Sequence, residues 1–324
     1  MKVAVLGLGS AGARHARILL DLEHEVVAFD PGPVPTPEGV NRKDSLAEAI
    51  QCAESVVVTS PNSLHAAQAV AALEQGRHVL VEKPLAVTSA DAELIVETAE
   101  RAGAVCGVAM NLRFHPGILE LKRLLDADLL GSVRFVQASF GYDLRLWRPE
   151  SDYRSGYIAR ADLGGGIVLD AIHELDYLLW LLGPVDSVMA EVAHLSDLEV
   201  DVEDIALASV RFAGGPLAAI DLNFLEPVYR RTCLIVGAGA VVRWDWSTGT
   251  VALTPQGEEG SLHDASCNLA DTYRSVLVDY VDAVETGREP RTPGRDGLSA
   301  VRLAEAIKSS AETGQRVSLI RRSS

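Results

Sequence analysis

The chain opens with apolar runs of two lengths. Short, mainly apolar runs at 2–6, 25–29, 55–59, 78–82 and 104–109 have the width of buried strands. Between them lie longer stretches in which apolar residues recur every third or fourth position. One is 11–22, through Ala13, Ala16, Leu19 and Leu20; others are 45–52, 63–75 and 89–102. These read as helices, with Asp44 or Ser45 placed to cap the second and Gly76 to end the third. Alternating strands and helices through residue 110 predict βαβ units, and so a parallel sheet.

Beyond residue 116 the pattern changes. A helix over 116–127 leads to a β-rich stretch at 132–141, and a helix is predicted over 167–182. Runs at 185–194, 204–212, 217–224, 231–236, 240–246 and 250–254 then alternate or are rich in β-branched residues. Turns such as Ala213-Gly214-Gly215-Pro216 and Gly237-Ala238-Gly239 join them. Close strands with short turns predict a mostly antiparallel sheet. Residues 255–268 read as an exposed loop, and 270–286 and 294–314 as closing helices. The expected fold class is α/β. A doubly wound parallel domain covers 1–115, and an α+β domain on an open, mostly antiparallel sheet covers 116–324. The last helix is a candidate to pack back on the first domain.

Composition narrows the partners. With 324 residues the chain is long enough for about two domains and a large core. Lys and Arg number 29 against 45 Asp and Glu, a formal charge of −16. That balance argues against nucleic acid and against an anionic membrane surface as partners. Four scattered cysteines, Cys52, Cys106, Cys233 and Cys267, form no C-x-x-C pair and read as free thiols in a reducing compartment. No apolar run reaches the ~20 residues of a membrane span, so the expectation is a cytoplasmic protein.

The first strand runs into Gly7-Leu8-Gly9-Ser10-Ala11-Gly12, a G-x-G-x-x-G turn between a strand and a helix. Gly7 permits the tight turn, Gly9 lets backbone amides approach a pyrophosphate, and Gly12 lets the helix pack close. The turn from Gly9 through Ser10 and Ala11 to Gly12 opens a helix whose N-terminus favours an anion. Asp30 ends the second strand, where a carboxylate accepts from ribose hydroxyls and repels a 2′-phosphate. Pro31, Gly32 and Pro33 bring no cation beside it, so the expected cofactor is NAD, with NADP less favoured. The domain is therefore read as a Rossmann domain. The competing reading is a glycine turn in another α/β fold, with Asp30 a solvated loop acid.

Three further segments stand in order along the chain. They are Thr59-Ser60-Pro61-Asn62-Ser63-Leu64-His65, Glu82-Lys83-Pro84, and Gly164-Gly165-Gly166 leading to Asp170 and His173. With the glycine turn, Arg14-His15 and Asn111-Leu112-Arg113-Phe114, the chain resembles the Gfo/Idh/MocA family of sugar and cyclitol oxidoreductases over nearly its whole length. The stretch from Tyr142 to Gly183 is most similar to members associated with surface sugars and nucleotide sugars. The resemblance implies that Lys83 is catalytic, often before a cis proline. It also implies that Ser60, Pro61, Asn62, His65, Glu82 and Lys83 lie at the cofactor. Chemistry agrees for Lys83, an ammonium at a strand's C-terminal end that can donate to a substrate oxygen. The plain alternative is a surface lysine paired with Glu82.

On the predicted helix, Asp170, His173, Tyr177 and Trp180 share one side, expected to face a cleft. His173 is a candidate proton acceptor, and Asp170 either bonds substrate hydroxyls, orients the imidazole or takes the proton itself. The family's Asp and His stand four apart and here three, which makes Asp176 a second candidate acid. The plain reading is a helix cap and a satisfied histidine. Arg113, Tyr142, Trp147, Arg154, Tyr157 and Arg160 are candidate substrate contacts, beside Asp170 and His173. The clustering of Arg145, Arg148, Arg154 and Arg160 suggests an anionic substrate, against the plain reading of a solvated loop. No phosphate loop, nucleophile elbow or zinc helix is present in the sequence, and no metal is expected.

The expected function is hydride transfer between NAD and a secondary alcohol or ketone of a sugar, cyclitol or nucleotide sugar. The alternatives are a non-enzymatic NAD-responsive regulator and a redox-assisted glycosidase that retains its NAD. An open sheet needs its outer face covered, so a homodimer or homotetramer is expected.

Overall fold

The computed structural model describes residues 1–147, 149 and 152–320. They form two compact units. The first comprises Met1–Asn111 and Leu269–Val301. The second comprises Leu112–Asn268 and the stretch from Arg302 onward.

In the first unit six strands form one parallel sheet. They are β1 (Lys2–Leu6), β2 (Glu25–Phe29), β3 (Asn41–Arg42), β4 (Ser55–Val58), β5 (His78–Val81) and β6 (Cys106–Val108), in the order β3-β2-β1-β4-β5-β6. The crossovers are α1 (Ser10–Asp21), α2 (Leu46–Gln51), α3 (His65–Leu73) and α4 (Ser89–Ala102). The strand interiors are buried because both faces of a doubly wound sheet are covered, which is why they read as runs and not as alternations. Ser45 and Thr88 cap α2 and α4 by accepting from Glu48 N and Asp91 N, and Gly103 ends α4 in the left-handed region.

A single boundary near residue 115 does not describe this unit. Helix α9 (Leu269–Thr286) and the start of α10 (Gly294–Thr313) belong to it. The contacts are specific. The Tyr280 and Ser55 hydroxyls are 2.6 Å apart, the Asn111 amide donates to Thr272 at 2.8 Å, and Tyr273 stacks on Arg14.

The second unit holds a nine-stranded sheet. Its strands are β7 (Val133–Gly141), β8 (Val185–Ala193), β9 (Ile205–Phe212), β10 (Leu217–Asn223), β11 (Arg230–Gly237), β12 (Ala240–Asp245), β13 (Thr250–Pro255), β14 (Ser261–Asp264) and β15 (Val317–Ser318). Every pairing is antiparallel except β7 with β10. The helices are α5 (Pro116–Asp126), α6 (Leu144–Trp147), α7 (Ile167–Asp170) and α8 (Ile172–Leu182). Two expectations change here. The segment read as a loop contains β14, an edge strand whose four residues are all exposed, so no apolar alternation marked it. The helix read as continuous breaks at Ala171 into α7 and α8.

Candidate active site

In the first unit the site begins where β1 ends. Gly7 has φ +96°, and a Cβ there would sit 2.9 Å from the Thr59 and Ser60 backbone. Gly12 is more constrained still: a Cβ would lie 1.9 Å from the Gly7 carbonyl oxygen and 2.7 Å from Thr59 Oγ1. The Thr59 hydroxyl donates to the Leu6 and Gly7 carbonyls and so ties the ends of β4 and β1 together. These neighbours are where the strand order reverses, the position at which doubly wound sheets bind ligands. Gly9, by contrast, has nothing within 4 Å of where a side chain would start, and it caps α1 with no side chain of its own. Ser10 and Ala11 open that helix, and no acid stands in its first turn. Beside it the Ser60 hydroxyl oxygen is buried without a hydrogen-bond partner among the described residues. Open backbone and an unsatisfied hydroxyl fit a phosphate-bearing cofactor.

Asp30 is held from both sides. Its Oδ2 accepts from Leu8 N at 2.6 Å and its Oδ1 from Gly32 N at 2.7 Å. The expectation of no cation at this loop needs correction. Arg42, from β3, donates to the carbonyls of Asp30, Gly32 and Val34 at 2.7, 2.5 and 2.8 Å. Its guanidinium clamps the loop through backbone oxygens. Nothing periodic in the sequence marks Arg42; only the β2–β3 pairing brings it there.

The segment after β4 turns two of its side chains, Asn62 and His65, into the interior. Pro61 precedes a short 3-10 turn at Asn62–Leu64, and Asn62 is buried. His65 is fully buried, with Nδ1 2.8 Å from the Pro84 carbonyl and Nε2 2.9 Å from that of Ser60. Burial pushes its pKa down while the two carbonyls pull the other way, and the ring sits between the two loops. It is a positioning residue.

Glu82 acts in the same way. Its Oε1 meets His15 Nε2 at 2.7 Å, its Oε2 accepts from Lys83 N at 3.0 Å, and Arg14 lies 3.8 Å away. Burial works against the charge, but the His15 hydrogen bond and the neighbouring cations outweigh it and hold the carboxyl at about 2. Arg14 in turn lies 3.6 Å from the Tyr273 ring centroid. The backbone at Lys83 is thus fixed by a buried anion, and the Lys83–Pro84 bond is cis.

In the second unit the triple glycine is a steric requirement. A Cβ on Gly165 would lie 2.4 Å from the Ile158 carbonyl oxygen and 2.5 Å from that of Tyr157. Gly165 N donates to the Arg160 carbonyl and Gly166 N to that of Ile158, both at 2.9 Å. This seam brings Tyr157 to Asp170, with the hydroxyl 3.5 Å from Oδ1. Asp170 is 5% exposed and His173 7%.

The break at Ala171 undoes the expected shared face. Tyr177 is fully buried edge-on to Trp244, and Trp180 lies near the Arg113 and Lys122 cations. Asp176 takes Arg113 through both carboxylate oxygens, at 2.8 and 2.7 Å, with Arg113 itself 1% exposed. That pair shapes the core beneath α8, so Asp176 is no second acid and Arg113 no open anion site. Glu174 pairs with Arg231 at 2.8 Å beside it. Arg145 pairs with Asp143 and Asp197, Arg154 with Asp152 and Glu199, and Arg160 with Asp162. Trp147 and Tyr142 stack within an aromatic cluster with Phe140 and Tyr229. Arg148 lies outside the described residues. Among the described residues no cluster of metal ligands occurs and no helix is long and apolar enough to cross a membrane.

Comparison with known proteins matches both halves. Residues 1–110 match the oxidoreductase family with an NAD-binding Rossmann fold, and residues 118–263 match the GFO/IDH/MocA C-terminal domain. A D-xylose 1-dehydrogenase (NADP(+)) of Haloferax volcanii is 30% identical, over 82% of this chain and 80% of its own. A myo-inositol 2-dehydrogenase of Thermotoga maritima is 28% identical over 98% of each. The crystal structure of GenD2 from gentamicin A biosynthesis, in complex with NAD, has a TM-score of 0.85 at 26% identity, covering 99% of this chain and 96% of its own.

Proposed function

The chain belongs to the GFO/IDH/MocA oxidoreductase family, and we propose that it moves a hydride between NAD and a secondary alcohol of a sugar or cyclitol. The observation that carries this reading is the pairing of an open Gly9 cradle with a Lys83 backbone held by buried Glu82. Amides of the Gly9–Gly12 turn and the Asp30 carboxylate are the groups that would hold the cofactor, with Ser60 beside the turn. Bound NAD supplies the hydride acceptor.

The remaining work falls to side chains. Lys83 donates a hydrogen bond to the reacting oxygen and stabilises charge as it develops there. His173 takes the alcohol proton on oxidation and returns it on reduction. Asp170, itself reached by Tyr157, orients a substrate hydroxyl or the imidazole. The Haloferax relative is an NADP enzyme, so the cofactor choice rests on local chemistry. Asp30 is pinned by two amides and cannot swing away from a 2′-phosphate, which favours NAD. Exposed Met189, Leu207 and Leu217 on the outer sheet face support a homo-oligomer, and four free thiols suit a reducing cytoplasm.

The test is NADH appearance by near-ultraviolet absorbance, for the wild type and for Lys83→Met. The variant lowers kcat by about a hundredfold or more, the scale of a lost charge-stabilising donor, while the NAD dissociation constant changes little. Equal losses in both would remove Lys83 from the chemistry.

A further inference from the structure

Resting on that hydride-transfer reading, we infer that Tyr273 of α9 is a positioning residue for Lys83, acting through the two side chains that hold Glu82. Neither the glycine turn nor Glu82-Lys83-Pro84 contains it. Its one ring meets both of those side chains. Arg14 Cζ lies over the ring face, 3.6 Å from the centroid. His15 meets the same ring edge-on, with centroids 6.2 Å apart and planes at 89°. His15 Nε2 donates to Glu82 Oε1 at 2.7 Å, and Arg14 Nη2 stands 3.8 Å from that same oxygen. The other oxygen, Oε2, accepts from Lys83 N at 3.0 Å. A chain of contacts thus runs from an aromatic face on α9 to the backbone of the lysine that meets the reacting oxygen.

Physical chemistry says why a ring is needed there. Arg14 is long and its side chain is 35% exposed, and a partly exposed guanidinium 3.8 Å from an anion gains little from that anion alone. Its Nε is buried with no hydrogen-bond partner among the described residues, so hydrogen bonding does not fix it there. The negative face of the Tyr273 ring does, by drawing the cation onto it. Released from the ring, Arg14 can swing into solvent. The cation then left beside Glu82 is the Lys83 ammonium, which already acts on that carboxylate. A carboxylate in that state competes with the substrate oxygen for the ammonium. Tyr273 keeps Glu82 occupied, so that it orients the Lys83 backbone and does not claim the side chain. The docking of α9 has other anchors: the Asn111 amide donates to Thr272, and the Tyr280 and Ser55 hydroxyls pair. Thr272 and Tyr280 are fully buried while Tyr273 is only half-buried, so its ring can be removed with the helix still seated.

The experiment measures kcat, KM and NAD affinity for Tyr273→Leu, Tyr273→Phe, Arg14→Met and the double variant Tyr273→Leu with Arg14→Met. The substrate is whichever free aldose or inositol the wild type oxidises fastest. Tyr273→Leu should lower kcat by about three- to tenfold, the scale of one cation–π contact, while NAD affinity and the melting temperature hold. Tyr273→Phe keeps the ring face and should bring kcat back to within about twofold of wild type. Arg14→Met should reproduce the loss, and the double variant should lose no more than about twofold beyond the larger single loss, because residues that act through one another do not add. Glu82 gives a readout that needs no substrate. In Tyr273→Leu its carboxyl moves up from about 2 toward its ordinary 4.5, so the stability lost on acidification shrinks and that loss ends at a higher pH. A wild-type kcat in Tyr273→Leu, an equal loss in Tyr273→Phe, or losses that multiply in the double variant would overturn the inference and leave hydride transfer standing. So would a tenfold fall in NAD affinity alongside the fall in kcat, which would move Tyr273 to cofactor binding. No turnover of any compound by the wild type, with NADH shown to bind by its fluorescence, would remove the hydride-transfer reading and the part of Tyr273 in it.

Discussion

The glycine turn of the first unit and the arginine-bearing segment of the second reach specificity by opposite means. The turn contains no cation of its own; its groups are backbone amides, one carboxylate and missing side chains. What it recognises follows from the path of the main chain, which Gly7 and Gly12 force by contact. The second segment is dense in charge, yet its described arginines, Arg145, Arg154 and Arg160, are each answered by a neighbouring acid. There the field is set by partners, and the side chain alone misleads. Local backbone geometry therefore carries a motif's meaning more faithfully than the count of charges does.

The strongest way to break this contrast is inside the second unit. Asp176→Asn leaves Arg113 buried without its anion and should cost about 3–5 kcal/mol of stability, read from chemical denaturation. A small change would mean that Arg113 has water or a ligand to turn to, and would reopen it as an anion site.

The two glycines separate packing from binding. Gly12→Ala places a methyl against the Gly7 carbonyl and should destabilise the first unit by about 3 kcal/mol. Gly9→Ala meets no protein atom, so the melting temperature should hold while NAD affinity falls, about tenfold or more if the amides bear the pyrophosphate. Loss of stability in Gly9→Ala with NAD affinity intact would place the phosphate elsewhere.

Acid tests the brace under Lys83. The Glu82 carboxyl, ordinarily near 4.5, sits at about 2, so the folded form binds its proton more weakly than the unfolded chain does. Its stabilisation is then present above about pH 4.5 and is lost as pH falls toward 2, on the order of 3 kcal/mol in all. In Glu82→Gln that part of the acid dependence should vanish from the unfolding profile.

The smallest expected effect is at Arg42. Arg42→Ala releases the loop that carries Asp30 and should raise the KM for NAD by about three- to tenfold, with kcat unchanged and the preference against NADP reduced. An unchanged preference would show that the two amides on Asp30 suffice.

Much of the first unit was legible in the residues themselves. Five of its six strands are short apolar runs between amphipathic helices, and Gly7, Gly12 and Asp30 belong to one continuous stretch in which neighbours in sequence are neighbours in space. The triple glycine was legible as a motif, though its reason, the carbonyls of Tyr157 and Ile158 against Gly165, was not. What only the tertiary structure decided comes from long separations. Tyr273 and Tyr280 return to α1 and β4 across more than half the chain, and Arg42 reaches the Asp30 loop through strand pairing. His65 turns inward to two carbonyls, and Arg113 finds Asp176. Hydrophobic period and glycine sterics are properties of a short stretch of chain, so sequence by itself determined the elements and the turn. The partner of a charged side chain is chosen by whatever the fold places within reach, and only folding makes that choice.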